Sequence, residues 1–314
     1  MDRYVESELN LEGKETVLEM KRMAKKITKA KLLDQLARGI LWLSGALILG
    51  ILAAFLIYIL VKGLPVLTWN FLTGASSDIK AGSGVGAQFF NSFYILFLSL
   101  LFSIPVAVGG GIYLAEYAKN NRLTDLIRLS TESLATVPSI VLGLFGMIVF
   151  VNFLGMGFSI IGGALTLSLL NIPVLVRVTE ETLRTVPSYY REASLALGAT
   201  KWQTIWKVLL PTALPGIITG ITLTAGRALG ESAILIFTAG TTVSRQLPDF
   251  DVTAAGETLA VHIWYVMAVG LVPDRMDIAN GIAALLVITI LIFNLCFTLP
   301  SRWFQRRMLG SNSR

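Results

Sequence analysis

Two opposite charges lie four positions apart within one of the most apolar stretches of this sequence. Arg227 and Glu231 are the only charged residues in the stretch 211–243. A charge at bilayer depth costs at least about 2.5–3.5 kcal/mol on insertion scales, so it normally faces a pathway or a partner. Residues four apart on one helix share a face and can pair. The pattern therefore predicts either a structural ion pair or groups that line a path for a charged solute.

Residues for enzymatic chemistry are sparse. His262 is the single histidine, and a lone histidine is more often a packing or interface residue than a ligand. Cys296 is the single cysteine, so no internal disulfide can form. No Cys, His and carboxylate cluster has metal-ligand spacing, and no G-x-x-x-x-G-K-[ST] phosphate loop occurs. We expect no catalytic residue, metal or cofactor. Any ATP hydrolysis would need a separate subunit.

The composition is typical of a membrane protein. Of 314 residues, 54% are hydrophobic and 15% charged, and the mean hydropathy is +0.70. Charged residues alone reach about a quarter of a soluble domain. About 20 apolar residues are needed to cross a hydrocarbon layer roughly 30 Å thick. Uncharged or nearly uncharged stretches of that length are 39–61, 92–114, 133–176, 211–243 and 278–299. The third holds 44 residues, enough for two crossings with a turn at 155–157. The sequence thus predicts an all-α integral membrane protein with six transmembrane helices.

The distribution of cations predicts the orientation of these helices. With the N-terminus in the cytosol, 21 of the 26 Lys and Arg residues fall in the inside segments 1–38, 115–133, 177–210 and 300–314. Only Lys62, Lys80, Arg245 and Arg275 fall outside. Both termini are therefore expected to be cytosolic. The basic pI of about 9.5 reflects this topology and contact with anionic lipid, so we expect no nucleic-acid partner.

Two segments remain outside the six spans. The stretch 259–272 is mostly apolar but has only 14 residues, too few to cross, and is expected to be re-entrant or interfacial on the outer side. The first 38 residues are too long and too charged for a signal peptide, and apolar residues at helical spacing predict a solvated or interfacial helix there.

The longest inside loop, residues 187–211, has the pattern of two short helices. Ser188 is a suitable N-cap for the first helix, and Gly198 suits the left-handed position that ends it. Thr200 begins a capping box for the second, and Pro211 is expected to close it and can open the next span. Residues 202, 205, 206 and 209 are apolar at helical spacing, which predicts one apolar face. Such a loop fits docking of a partner protein, or an interfacial helix lying on lipid.

The same loop carries a family resemblance. E-A-S at 192–194, G at 198 and V-L-L-P at 208–211 resemble the EAA loop of ABC importer permeases, E-A-A-x3-G-x9-I-x-L-P. Spacing matches throughout, and Ser194 and Val208 are the two departures. In that family the loop seats in a groove of the ATPase subunit. The resemblance implies an ATPase-coupling loop with Glu192, Ala193, Gly198, Trp202, Trp206 and Pro211.

Three further segments are similar to the phosphate importer permeases of the PstA type. They are G-I-Y-L-A-E-Y at 111–117, T-V-P-S-I-V-L-G-L-F at 136–145 and A-G-R-A-L-G-E-S-A at 225–233. This resemblance implies a second homologous permease, two ATPase subunits and an extracytoplasmic phosphate-binding protein as partners. It also implies a prokaryotic inner-membrane location. The element R-A-x-G-E is less specific, because molybdate and sulfate permeases resemble it.

The sequence is identified as a member of the type I ABC importer permeases, with phosphate as the expected substrate. We expect a cytosolic arm at 1–38, a first transmembrane helix at 39–61, a permease domain at 88–300 and a basic cytosolic tail at 301–314. Arg227 and Glu231 are the expected translocation-path residues. Permeases for molybdate or sulfate are the alternative. An ion-coupled secondary transporter would leave the EAA-like loop unexplained, and a membrane enzyme would have only Arg227 and Glu231 for its chemistry.

Overall fold

The protein is helical in about 80% of its residues, and the part of the chain described by this computed structural model contains no β-strand. Residues 2–77, 81–119, 121–242 and 250–308 are described, with side chains for residue 31 and from residue 33 to 300 in these ranges. Its contacts form two compact units, residues 1–58 and 59–314. The helices are α1 (Asp2–Gly63), α2 (Trp69–Thr73), α3 (Gly86–Ile112), α4 (Arg122–Ala135), α5 (Ser139–Gly146), α6 (Ile160–Thr185), α7 (Ser188–Ala196), α8 (Lys201–Thr204), α9 (Leu210–Leu229), α10 (Ala233–Thr238), α11 (Leu259–Ala268) and α12 (Arg275–Met308).

Five of the described helical segments are long and apolar enough to cross a membrane. They are Leu33–Val66, Gly86–Tyr117, Ile160–Thr185, Lys201–Leu229 and Arg275–Pro300. A sixth span is obtained when α4 and the segment Ser139–Phe153, which meet at an angle of 96°, are counted together. The predicted all-α membrane architecture is confirmed.

The uncharged stretch 133–176 does not begin at the start of a helix. Residues 133–135 belong to α4, and the chain then breaks at Thr136–Pro138 before α5 begins. Pro138 explains this break, because proline lacks an N–H and disfavours helical backbone at the residue before it. The turn between the two crossings is confirmed, since Gly155 and Gly157 have φ of +66° and +65°.

The first and last spans are longer than predicted. The N-terminal arm and the first apolar stretch form one continuous helix, α1, that extends from Asp2 to Gly63. At the other end of the chain, α12 continues past residue 299 to Met308. The last six residues of the predicted basic tail lie outside the described residues, as do Lys80 and Arg245.

The second unit is organised around α6, which packs against α3 on one side and α9 on another. Glycines of α9 permit its close approach. A Cβ added to Gly220 would lie 2.3 Å from Val178 Cγ1, and one added to Gly216 would lie 2.4 Å from Thr182 Cγ2. Because a side chain at either position would have to displace its neighbour, glycine favours this close packing.

The short apolar stretch near residue 260 is confirmed as too short for a crossing. It forms α11, a helix of ten residues that begins at a cap in which the Thr258 hydroxyl accepts from the N–H of Val261. Leu259, Val261 and Val266 are buried, whereas Trp264 is 45% exposed. This helix therefore packs largely inside the protein.

Candidate functional site: the coupling loop and the intramembrane arginine

The first helix of the loop at 187–211 is bounded by a proline and a glycine. α7 begins one residue earlier than predicted, because Pro187 occupies the N-cap position and Ser188 is the first helical residue. Gly198 has φ of +80°, as predicted for the left-handed residue that ends the helix. Its N–H bonds to the carbonyl of Leu195 at 3.0 Å, which completes the last turn.

The second helix starts at the predicted capping box. The Thr200 hydroxyl accepts from the N–H of Gln203 at 3.2 Å, and the Gln203 side chain accepts from the N–H of Thr200 at 2.9 Å. A contact of 2.9 Å between the hydroxyl oxygens of Ser194 and Thr204 joins the two short helices. Ser194, the departure from the EAA pattern, thus supplies a polar group that alanine lacks.

Pro211 does not close the second helix, contrary to expectation, but it lies in the first turn of α9, as expected for a residue that can open the next span. The helical path runs without interruption from Lys201 to Leu229, through a π-helical turn at Ile205–Leu209 immediately before Pro211. Proline cannot donate to the preceding turn of an α-helix, and the wider π turn removes the need for that bond. The coupling loop is therefore continuous with the α9 membrane span.

The predicted single apolar face is divided by this turn. Ile205 and Leu209 are fully buried, whereas Trp202 and Trp206 are 59% and 47% exposed. The two indole rings lie side by side, with centroids 5.3 Å apart. Other exposed large apolar side chains of the loop are Tyr189, Leu195 and Leu197. Glu192, Ala193 and Gly198 are exposed as well. The loop thus presents an aromatic and apolar surface, which we call the docking surface: Tyr189, Leu195, Leu197, Trp202 and Trp206.

Arg191 anchors this loop, and sequence reasoning did not select it. Its Nε and Nη2 donate to Glu116 Oε1 at 2.9 and 2.6 Å. Glu116 follows α3 in sequence and is 75 residues away from Arg191. Neither residue belongs to a local pattern that could have predicted the pairing. On the same helix, a side-chain hydrogen bond between Tyr189 and Tyr190 raises the pKa of the Tyr189 hydroxyl.

Arg227 and Glu231 do not form the predicted pair on one helix. α9 ends at Leu229, and Gly230 is its C-cap, so Glu231 lies beyond the helix. Glu231 Oε1 instead accepts from the N–H of Ala233 at 3.1 Å and caps the start of α10. The expected i, i+4 geometry is wrong because the predicted span 211–243 is broken between α9 and α10.

Arg227 makes no ion pair with any residue that the structure describes. It is exposed, on a face of α9 that also exposes Leu223. The residue lines a cavity of about 220 Å³ between α6 and α9. Asn171 and Thr224 are polar residues that line the same cavity. Sequence reasoning missed Asn171, because a single Asn inside an apolar stretch gives no signal of what it faces.

A buried polar cluster lies elsewhere in the unit. Glu257 Oε1 accepts from Gln88 Nε2 at 2.7 Å and lies 2.8 Å from His262 Nδ1. Gln88 Nε2 also lies 2.7 Å from the hydroxyl of Ser76. His262 is a buried interior residue, which agrees with the packing role expected for it. No local pattern in the sequence connects it with Glu257 or Gln88.

Together, these features define an integral membrane protein with a continuous helical connection from an exposed loop into a membrane span. The family model of the binding-protein-dependent transport system inner membrane component matches residues 107–310. The chain belongs to this family, and it is the permease subunit of an ABC importer. Permeases of this kind are not catalytic, and ATP hydrolysis belongs to a partner ATPase.

Individual proteins support this assignment. The chain is 48% identical to the probable ABC transporter permease protein YqgI of Bacillus subtilis, over 87% of this chain and 95% of the relative. It is 33% identical to the phosphate transport system permease protein PstA of Haemophilus influenzae, over 83% and 91%. The inward-facing methionine ABC transporter MetNI has a similar fold, with a TM-score of 0.55 and 22% identity over 70% of this chain and 94% of that one.

Proposed function

We propose that this chain is the permease subunit of an importer of inorganic phosphate. It would form half of the translocation path and couple it to a separate ATPase. Three sequence segments resemble phosphate permeases, and a relative that covers most of the chain carries the name of a phosphate transport permease. The observation that carries the proposal is Arg227, an exposed cation without an acidic partner in the described structure, on a membrane span.

The chemistry of an oxyanion explains why such a residue would be retained. A guanidinium presents several N–H donors in a plane and binds phosphate oxygens through two parallel hydrogen bonds. Because Arg227 is not neutralised by Glu231, its charge remains available to a passing anion. Glu231 would also lie along the path. Its carboxylate accepts a hydrogen bond from the N–H of Ala233, which stabilises the chain between α9 and α10.

The docking surface supports coupling to an ATPase. Burial of two tryptophans and several apolar side chains against a partner gives the kind of contact that dominates binding energy at interfaces. Because the second loop helix is continuous with α9, a displacement of the docked loop would move the helix that carries Arg227. This provides a direct route from ATP-driven closure of the ATPase to alternating access.

The remaining partners follow from the same proposal. A second homologous permease would cover the α6 and α9 face that exposes Leu223 and Arg227. Two ATPase subunits would bind the docking surfaces, and an extracytoplasmic phosphate-binding protein would deliver the anion. Lipid would surround the outer helices. The orientation expected from the cation distribution, with both termini in the cytosol, would put the docking surface on the side where ATP is available.

Uptake by the reconstituted complex tests the substrate. The permease is co-expressed with candidate ATPase, second permease and binding protein subunits, and the complex is inserted into vesicles. We expect ATP-dependent accumulation of labelled phosphate. A tenfold excess of unlabelled phosphate should abolish this accumulation, whereas the same excess of molybdate or sulfate should leave it unchanged. Transport of molybdate or sulfate in preference to phosphate would contradict the proposal and favour the alternative oxyanion.

A further inference from the structure

Two cations of the coupling loop converge on a single residue at the end of α3. Arg191 of α7 donates two hydrogen bonds to the Glu116 carboxylate, at 2.9 and 2.6 Å. Lys201, the first residue of α8, donates from Nζ to the backbone carbonyl of Glu116. The same ammonium group lies 4.6 Å from the ring centroid of Tyr117. Both short helices of the loop are therefore fixed to the π-helical turn Tyr113–Tyr117 that extends α3.

Arg191 also contacts a third element, the end of α6. Its Nη2 donates to the carbonyl of Leu183 and its Nη1 to the carbonyl of Val186, each at 2.9 Å. The last carbonyls of a helix have no partner within the helix, so a donor from outside is needed there. One guanidinium thus connects α3, α6 and α7 through four hydrogen bonds.

The burial of this connection distinguishes it from the surface ion pairs at the same end. The side chains of Arg191 and Glu116 are 24% and 7% exposed. In contrast, Arg177 and Glu132 are each 56% exposed. Exposed pairs contribute little because water and salt screen them, whereas a partly buried, hydrogen-bonded pair fixes its geometry. The Arg191–Glu116 contact is therefore suited to transmit a displacement.

We propose that Arg191 and Glu116 are positioning residues that form the joint through which movement of the docked coupling loop reaches α3 and α6. This inference rests on the proposed docking role of the loop. Without the joint, the loop would still follow α9 through the continuous second helix, but α3 and α6 would no longer move with it. On this proposal the loop has two separate properties: its exposed apolar surface binds the ATPase, and its inner charged side conveys the motion.

The test separates binding from coupling. Arg191→Gln and Glu116→Gln are each compared with the unmodified complex for three quantities: ATPase retained on purification, ATP hydrolysis, and labelled phosphate taken up per ATP hydrolysed. We expect normal ATPase retention and normal ATP hydrolysis in both variants. Uptake per ATP should fall about five- to tenfold, which is at the lower end of the range typical for energetic coupling between two sites. If the unmodified complex failed to retain an ATPase, the proposed docking role would fail, whatever the variants did.

Arg177→Gln is the matched control. It removes an arginine of α6 whose partners, Glu132 and Glu181, lie at the same end of the protein and do not include a coupling-loop residue. We expect its uptake per ATP to equal that of the unmodified complex. An equal loss in Arg177→Gln and Arg191→Gln would overturn the inference, because any ion pair at this end would then suffice. Unchanged uptake per ATP in Arg191→Gln would overturn it as well.

A second experiment keeps the inference testable if the neutral variants assemble poorly. Cys296 is first replaced by serine, since it is an exposed thiol. In that background Glu116→Cys and Arg191→Cys are combined and joined by a short bifunctional thiol reagent. A covalent link in place of the charged contact should restore uptake per ATP to within about twofold of the Cys296→Ser complex, because the joint acts through rigidity. Failure of a complete cross-link to raise the coupling ratio would contradict the inference.

Discussion

His262 and Glu257 face each other inside the protein, with Nδ1 of the ring 2.8 Å from Oε1 of the carboxylate and side chains 3% and 1% exposed. The contact is close in distance but lacks hydrogen-bond alignment, and Glu257 Oε2 has no hydrogen-bond partner among the described residues. Gln88 therefore supplies the one aligned side-chain donor to this carboxylate in the described structure. A buried carboxylate with so few donors depends strongly on each of them.

Removal of the Gln88 donor is expected to destabilise the protein. Gln88→Leu leaves the buried Glu257 carboxylate without its hydrogen bond, at a cost of about 1–3 kcal/mol or more for a charged group. The expected result is a lower midpoint of thermal unfolding for the purified complex in detergent. Ser99→Ala is the control, because the Ser99 hydroxyl is buried in the same helix but bonds only to the Leu96 carbonyl of that helix. Equal midpoints for the two variants would contradict this prediction.

Gly198→Val is expected to uncouple the loop from the ATPase. At φ of +80°, a β-branched side chain is strained by roughly 1–3 kcal/mol, so the turn between α7 and α8 should change shape. The permease should still insert in the membrane but neither retain nor stimulate its ATPase. Ala196→Val, on the exposed face of α7, is the matched control because the same side chain is added at a helical position. Normal stimulation by Gly198→Val would indicate that the loop only lies on lipid.

Arg227→Gln is expected to abolish phosphate uptake without loss of assembly. Because Glu231 is satisfied by the N–H of Ala233, removal of Arg227 leaves no unpaired carboxylate behind. Complex yield and ATPase retention should therefore remain normal while uptake falls at least about tenfold, as expected for loss of a charged hydrogen bond. Arg275→Gln, an exposed arginine at the start of α12, is the control and should transport normally. Near-normal uptake by Arg227→Gln would show that Arg227 does not bind the anion along the translocation path.

A variant with both Arg227 and Glu231 replaced distinguishes a role of Arg227 in the translocation path from a purely structural role. If Arg227 served only to balance Glu231, Arg227→Gln would reduce yield, and Arg227→Gln with Glu231→Gln would restore both assembly and transport. We expect no such restoration. Glu231→Gln alone should assemble, because the amide carbonyl can still accept from Ala233 and keep α10 capped.

Accessibility to a membrane-impermeant thiol reagent tests the orientation. In the Cys296→Ser background, cysteines at Ala75 and Phe250, both exposed, should be labelled from outside intact cells, because most cations lie on the opposite side. A cysteine at Ser188, exposed in the coupling loop, should react only after the cells are opened. Labelling of Ser188→Cys in intact cells, or protection of the other two, would reverse the predicted topology.

Local features of the loop were predictable because each depends on residues three or four apart. The Thr200–Gln203 capping box and the left-handed Gly198 are both present as expected. Long apolar stretches likewise determined the spans, since a stretch of about 20 apolar residues has few stable environments other than a bilayer. Where a proline intervened, local reasoning was less reliable. Pro138 ended a helix, whereas Pro211 was accommodated by a π turn.

Only the tertiary structure decided which groups meet. Arg191 contacts Glu116 across 75 residues, and Gln88 contacts Glu257 across 169, so neither contact leaves a periodic signal in the sequence. Packing also divided the loop's apolar residues, with Ile205 and Leu209 turned inward and Trp202 and Trp206 left exposed. The end of α9 at Leu229 leaves Glu231 beyond the helix that carries Arg227. Hydropathy and caps fix where helices form, but the partners of a side chain depend on how those helices pack.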